Sequence, residues 1–362
     1  MQYCVLMQDL RNEFPALNKQ VYFNSASSGL LSKSLLDWRR AHDVDYYNNG
    51  VDFVQRKEIP EYARGSVARL FDAKLSETAL VPNLSFGINI VLDGLSKGQK
   101  VLLLREDYPS LRWPVETRDL DVCYAKIDEH LEDNVLQAVE KHKPDIFMFS
   151  IVQWLSGIKI DFEFLKQLKF KYPNMLLVAD GTQYMGTEHF SFKDNAIDVL
   201  GASAYKWLCA GFGNGFMLIK EDVQDRISPK TIGFNSADTF DSKPTDTRFI
   251  KYFEPGHQDS LAFGSLDQAI KKVEQIGIQH ISKAIKSHTH HAIEGLIEKG
   301  LLPNASKSRK GHSSIVNFTG NRELFKKLAT NNIICSLRGG GIRVSFHYYN
   351  TIAEVDTLLK LL

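Results

Sequence analysis

The sequence predicts an α/β protein with a mainly parallel central sheet and a smaller second domain. Three observations predict it. Short apolar runs alternate with longer helical stretches through the middle of the chain. Those runs are continuously apolar, as strands buried on both faces must be. The length of 362 residues exceeds one minimal domain and suits a large domain with a small one.

The apolar runs read as strands at 100–104, 122–125, 146–150, 176–179, 199–202 and 216–219. The stretches 129–142 and 162–172 between them have helical character. Strands separated by helices imply βαβ units and parallel pairing. Two helical stretches, 32–47 and 58–71, precede the first of these strands. Residues 228–258 are rich in Asp, Ser, Thr, Pro and Gly and read as a long functional loop. A helical stretch runs from 261 to 291. Strand runs follow at 314–318 and 342–346, with a last helix from 353. The large domain is expected at 20–255, and the small one at 256–362 together with 1–19.

Composition narrows the function classes. The chain is 43% hydrophobic and 24% charged, which argues against global disorder. A net charge of +1 without a basic stripe gives no reason to expect a nucleic-acid partner. Cys4, Cys123, Cys209 and Cys335 are far apart and form no CxxC pair or metal-ligand pattern with the histidines, so no metal is expected. The charged N-terminus does not read as a secretory signal, and no apolar run is long enough to span a membrane. A cytoplasmic protein is the expectation.

Several residues stand where an open α/β sheet binds ligands, beyond the carboxyl ends of strands. Asp180 ends the run MLLVAD. It can cap a loop, or hold a pyridine nitrogen protonated. Gln183 follows three residues on. Lys206 follows the next strand, between Tyr205 and Trp207. Lysines mostly occupy solvated faces, and apolar surroundings favour the unprotonated amine that Schiff-base chemistry needs. Ser203 precedes it by three positions, where a hydroxyl can reach a phosphate. The segment PNLSFGINIVLDGL reads as a loop entering a helix, and free N–H groups at such an N-terminus bind anions. Asn83, Ser85 and the amides of Phe86 and Gly87 are its candidates, with an ordinary N-cap as the alternative. Tyr108, after VLLLRED, can stack on a planar group.

The order of NLSFGIN, REDYPS, WLSG, VADGTQ, ASAYKW and IRVSFHYYNT resembles the class V aminotransferase family of fold-type I pyridoxal phosphate (PLP) enzymes. That family includes cysteine desulfurases, selenocysteine lyases, kynureninases and isopenicillin-epimerase-like proteins. The resemblance runs from VYFNSASSG at 21–29 to the YNT near the C-terminus. It implies a mainly parallel seven-stranded sheet between helices, with a small α+β C-terminal domain. By position it implies that Lys206 forms the internal aldimine, that Asp180 pairs with the pyridine nitrogen and Gln183 with the phenolic oxygen, and that Tyr108 stacks on the ring. Ser85, the Phe86 amide, Ser203 and Tyr205 would hold the phosphate. Arg343 would bind the substrate carboxylate, for which its planar fork is suited. Asn24, Ser25 and Ala26 would line the entrance, and Gln153 or Trp154 would border the substrate. The resemblance also implies a homodimer with shared sites. His257, in FEPGH, stands where the family commonly has Thr, in a loop that reaches the neighbouring subunit's phosphate.

The reaction is less legible. Desulfurases of the family need a mobile cysteine just upstream of the substrate arginine. Here that stretch is ICSLRGGG, its loop shortened. Cys335 lies eight positions before Arg343 and reads as a structural residue in a strand. A conventional desulfurase is therefore disfavoured, and the spelling RGGGIRVSFHYYNT is closer to the epimerase-like and kynureninase-like branches. The leading expectation is an aminotransferase acting on an amino acid. A lyase on a sulfur or selenium amino acid, or an epimerase, is the alternative. A catalytically silent binding module is a third, against which the joint presence of Lys206, Asp180 and Arg343 argues.

Overall fold

The structure is a computed structural model that describes residues 10–237, 247–309 and 311–362. After the short strand β1 (Val21–Tyr22) come helices Lys33–Asn49 and Phe53–Leu70. Seven strands follow: β2 (Thr78–Val81), β3 (Lys100–Leu104), β4 (Asp121–Ala125), β5 (Ile146–Ser150), β6 (Leu176–Asp180), β7 (Val199–Ser203) and β8 (Gly215–Ile219). They form one sheet in the order β2-β8-β7-β6-β5-β3-β4. Strands β4, β3, β5, β6 and β7 are parallel, and β8 runs against both β7 and β2. The expected α/β class and mainly parallel sheet are therefore present.

Side-chain alternation explains why the strands read as continuous apolar runs. Leu102, Leu104, Phe147, Phe149, Leu177 and Ala179 enter one apolar cluster. Their neighbours Val101, Leu103, Ile146, Met148, Leu176 and Val178 enter another on the opposite face. Both faces are thus covered, as parallel sheets require.

Strand β2 was not expected from the sequence. Its four residues, TALV, stop at Pro82 and merge with the loop that opens helix Leu84–Asp93. The helical stretch 261–291 is in fact two helices, Ser260–Ile276 and Ile278–Glu298, broken at Gly277 with φ +86°. That left-handed backbone favours glycine and ends the first helix. The first helix lies against helices Lys33–Asn49 and Phe53–Leu70. Of the expected loop 228–258, two short 3₁₀ turns are described, Phe234–Ser236 and Phe249–Phe253. Positions 238–246 lie outside the described residues.

The C-terminal strands are β9 (Ile315–Phe318), β10 (Ile333–Ile334), β11 (Ser336–Arg338) and β12 (Gly341–Ser345). Strand β12 pairs antiparallel with β9 and β11, and β10 pairs with β1. Cys335 is in neither strand, contrary to expectation: it sits between β10 and β11, buried in an apolar cluster with Phe23, Val344 and Phe346. No described helix is long and apolar enough to cross a membrane.

Candidate active site

Strands β5, β6 and β7 are parallel neighbours, so Ser150, Asp180 and Ser203 all lie at the carboxyl ends of central strands. A cavity of about 510 Å³ opens there against the N-terminus of helix Leu84–Asp93. It is lined by Ser85, Tyr108, Trp154, Asp180, Gln183, Ser203, Tyr205 and Lys206, all expected site residues. Ser150, Thr182 and Phe212 line it as well.

Lys206 is buried, with Nζ 5.6 Å from the Tyr108 ring centre and 5.5 Å from that of Tyr205. Loss of hydration lowers its ammonium to about 8; the Asp180 carboxylate opposes this, and Arg343 and Arg338 add to it. Asp180 is pushed up to about 6 by burial, against hydrogen bonds from Thr182 and the charge of Lys206. Its Oδ1 accepts the Thr182 N–H at 2.7 Å. The nearby Asp107 raises it further.

Asp107 was missed in the sequence. Its Oδ1 accepts from the Ser150 hydroxyl at 2.5 Å and the Tyr108 N–H at 2.7 Å, and its Oδ2 from the Ser150 N–H at 2.8 Å. It thus fixes the backbone that carries Tyr108 to the end of β5. The motif REDYPS contains it, but its burial was not visible in a charged triplet. Thr182 was missed too: its hydroxyl accepts the Ser203 N–H and its own N–H reaches Asp180, so it ties β6 to β7.

At the helix N-terminus, Asn83 is an N-cap whose Oδ1 accepts the Phe86 N–H at 3.0 Å. The Phe86 amide is therefore engaged within the chain. Ser203 Oγ accepts the Leu84 N–H at 2.9 Å, which locks the helix start onto β7. The Gln183 side chain donates to the Ala26 carbonyl at 2.9 Å and accepts from Trp207 Nε1 at 3.1 Å. Tyr205 stacks on Phe212 at 4.6 Å, and burial raises its phenol to about 12.

Arg343 is 1% exposed on β12. Its guanidinium donates to the Trp154 carbonyl and, at 2.8 Å, to Ser27 Oγ. No carboxylate pairs with it among the described residues. Asn24 Oδ1 accepts from the hydroxyls of Ser27 and Ser336, which places it beside Arg343. The Ala26 N–H donates to Ser345 Oγ at 2.9 Å. Trp154 meets Tyr108 edge-on at 5.6 Å. Gln153 is buried behind this wall, its amide donating to the Ser150 carbonyl. His257 is not brought to this cavity within the chain. It lies against Phe234 at 5.3 Å and lines a separate cavity with Arg56, Lys57 and Arg248.

A buried lysine with a depressed pKa, a buried carboxylate beside it, an aromatic ring and a helix N-terminus together fit PLP. The carboxylate matches a protonated ring nitrogen, and the helix end matches a phosphate.

Comparison with known proteins agrees. The family model "Aminotransferase class-V" matches residues 21–358. The "Uncharacterized aminotransferase YcbU" of Bacillus subtilis is 25% identical, over 97% of this chain and 95% of that protein. A "Probable cysteine desulfurase" of Pyrococcus abyssi is 24% identical, over 98% and 96%. The apo structure of a cysteine desulfurase from Thermococcus onnurineus has the same fold, with a TM-score of 0.84 at 22% identity over 98% of this chain and 96% of that one. The chain belongs to the class-V aminotransferase family and is a pyridoxal-phosphate-dependent enzyme.

Proposed function

We propose that this enzyme transaminates an amino acid, with Lys206 as the proton carrier and Arg343 as the anchor of the substrate carboxylate. One observation carries the reading. Arg343 is a buried cation without a carboxylate partner among the described residues, and it is close enough to Lys206 to depress its pKa. A buried charge is costly unless paired, so the site is built to receive an anion beside the reactive amine.

When bound, PLP supplies an electron sink that stabilises negative charge at the substrate α-carbon. The chain's residues do the rest. Asp180 would hold the ring nitrogen protonated, and Tyr108 would stack on the ring. Gln183 would serve the phenolic oxygen. Ser85, Ser203, Tyr205 and the first helical turn would hold the phosphate. Lys206 Nζ removes the α-proton and redelivers it, helped by its lowered pKa. Asn24, Ala26 and Trp154 border the substrate, with Gln153 buttressing the wall.

No histidine, glutamate or second lysine lines the cavity among the described residues. A single base suits proton transfer on one face better than the two-face inversion of an epimerase. Among the described residues no cysteine lines the cavity either; Cys123, Cys209 and Cys335 are buried elsewhere. That speaks against sulfur transfer to the enzyme's own thiol. Elimination of a β-substituent is the second reading, favoured by relatives named as probable cysteine desulfurases. Product analysis on an amino-acid panel separates them. Transamination yields the matching 2-oxo acid and amino-form cofactor, whereas elimination or desulfuration releases sulfide or alanine.

The enzyme acts as a homodimer in the cytoplasm in this reading, with His257 of the partner subunit completing each phosphate site. Exposed Tyr47, Val54 and Tyr62 on the first two helices, and Phe212 at the cavity mouth, support an interface there. Light scattering after gel filtration tests it: a monomer at micromolar concentration rejects the shared site.

A further inference from the structure

Trp207 follows Lys206 directly and is 1% exposed. A buried indole N–H needs an acceptor. It has one in Gln183 Oε1 at 3.1 Å. The other end of the same amide donates, from Nε2, to the Ala26 carbonyl at 2.9 Å. Gln183 lines the catalytic cavity.

An amide can be turned over so that its oxygen and nitrogen exchange places, and its partners decide which way it stands. An indole N–H only donates, so it must meet the oxygen. A carbonyl only accepts, so it must meet the nitrogen. The two contacts agree, and the turned-over amide would lose both. Nε2 carries two hydrogens. One is on Ala26, and the other takes no partner among the described residues. Gln183 therefore brings a spare donor to the cavity, not a spare acceptor.

Trp207 is held in its turn. Its ring stacks on His347 at 5.5 Å, with the planes 13° apart. His347 Nδ1 accepts the Tyr348 N–H at 2.9 Å, so the ring proton is on Nε2, which donates to the Trp207 carbonyl at 3.0 Å. Burial lowers this imidazole to about 3, so it stays neutral and the clamp is constant over working pH.

We propose that Trp207 is a positioning residue: through the Gln183 amide it aims a hydrogen-bond donor at the phenolic oxygen of the bound cofactor. The proposal rests on the PLP reading of the site given above. A donor at that oxygen makes it less basic, so it holds less tightly the proton it shares with the nitrogen that links it to Lys206. Without the indole, the amide keeps only its Ala26 contact and can swing away.

The test reads the absorbance of the PLP-loaded enzyme against pH, with no substrate present. Trp207→Phe keeps a ring against His347 and loses the N–H. The midpoint at which the cofactor gives up the shared proton should rise by roughly half a unit, part of the worth of one hydrogen bond. Gln183→Ala should raise it by about one unit. In the Gln183→Ala background Trp207→Phe should add nothing, because it acts through that amide. Asp180, Arg338 and Arg343 also act on Lys206, and they are the same in all four proteins. A midpoint that Gln183→Ala moves and Trp207→Phe does not overturns the proposal and leaves the PLP reading standing. So does a shift from Trp207→Phe that persists without Gln183, which would be an effect of packing. If neither variant shifts the midpoint, the part of Gln183 in the PLP reading fails and takes the proposal with it. If Trp207→Phe does not fold, neutron diffraction from wild-type crystals decides: two deuterium atoms belong on the Gln183 atom facing Ala26 and none on the atom facing Trp207, and the reverse overturns the proposal.

Discussion

Lys206 and Asp180 share one cavity and oppose each other's burial: loss of hydration lowers the lysine to about 8 and raises the carboxyl to about 6, while each charge pulls the other back. The pair is thus poorly hydrated and only partly compensated in the bare chain, and in the proposed reading a bound ring nitrogen would supply the partner for Asp180.

This pair makes the cofactor-free protein's stability depend on pH in two windows. Asp180 has a raised pKa when folded, so the folded chain holds the extra proton. Stability must fall as pH rises from the ordinary 3.8 to about 6. Lys206 has a lowered pKa when folded, so the unfolded chain holds the extra proton. Stability must rise again from about 8 to the ordinary 10.5. The pair's contribution is therefore lowest between about 6 and about 8. Melting temperatures of cofactor-free wild type and Asp180→Asn across this range test it. The fall in the acid window should flatten in the variant, and an unchanged slope would falsify the assignment.

Lys206→Ala should remove the amine without removing the phosphate and ring contacts. The variant should still take up PLP, but borohydride should no longer fix it to the chain, as peptide mass analysis would show. Turnover should fall by roughly 10²–10⁴, the usual worth of a positioned acid–base group. Adding a small primary amine should restore part of it. A variant still trapped by borohydride at the same peptide would sink the role of Lys206.

For Arg343 the prediction separates binding from folding. Its guanidinium has no carboxylate among the described residues to leave stranded, so Arg343→Met should not lower the melting temperature sharply. It should raise KM for the amino acid by about 10–100-fold, the loss of a charge-assisted contact of about 1.5–3 kcal/mol. The change in kcat should be small. Arg343→Lys keeps the charge but loses the fork and should restore only part of the affinity. Steady-state kinetics with unchanged KM in Arg343→Met would remove the anchor.

Much of this was legible because parallel strands are buried on both faces. Six of the seven sheet strands announce themselves as apolar runs. Strand β2 did not, because Pro82 cuts its four residues short and it merges with the loop that opens helix Leu84–Asp93. Lys206 and Asp180 were legible because a charged residue at the end of a buried strand is unusual. Asp107 was not, since an acid in REDYPS looks solvated until the fold brings Ser150 over both its oxygens. Cys335 shows the reverse limit: its apolar neighbours suggested a strand, yet the chain breaks pairing there and buries the thiol. His257 lies beyond reach of one chain's cavity, so its part depends on a second copy.

Gly29 ties the N-terminal segment to the loop that carries Lys206. Its N–H donates to the Tyr205 carbonyl at 2.9 Å. A Cβ added there would stand 2.1 Å from the Lys206 carbonyl oxygen, so one of the two backbones must move. Such overpacking costs about 1–3 kcal/mol. Gly29→Ala should therefore lower the melting temperature and, because the shift displaces Lys206, weaken PLP binding as well. Gly65, inside helix Phe53–Leu70, is the control: a Cβ there meets nothing within 4 Å. Gly65→Ala should be neutral or stabilise by about 0.5–1 kcal/mol, with PLP affinity unchanged. If Gly29→Ala binds PLP as tightly as Gly65→Ala does, the N-terminal segment does not position the lysine.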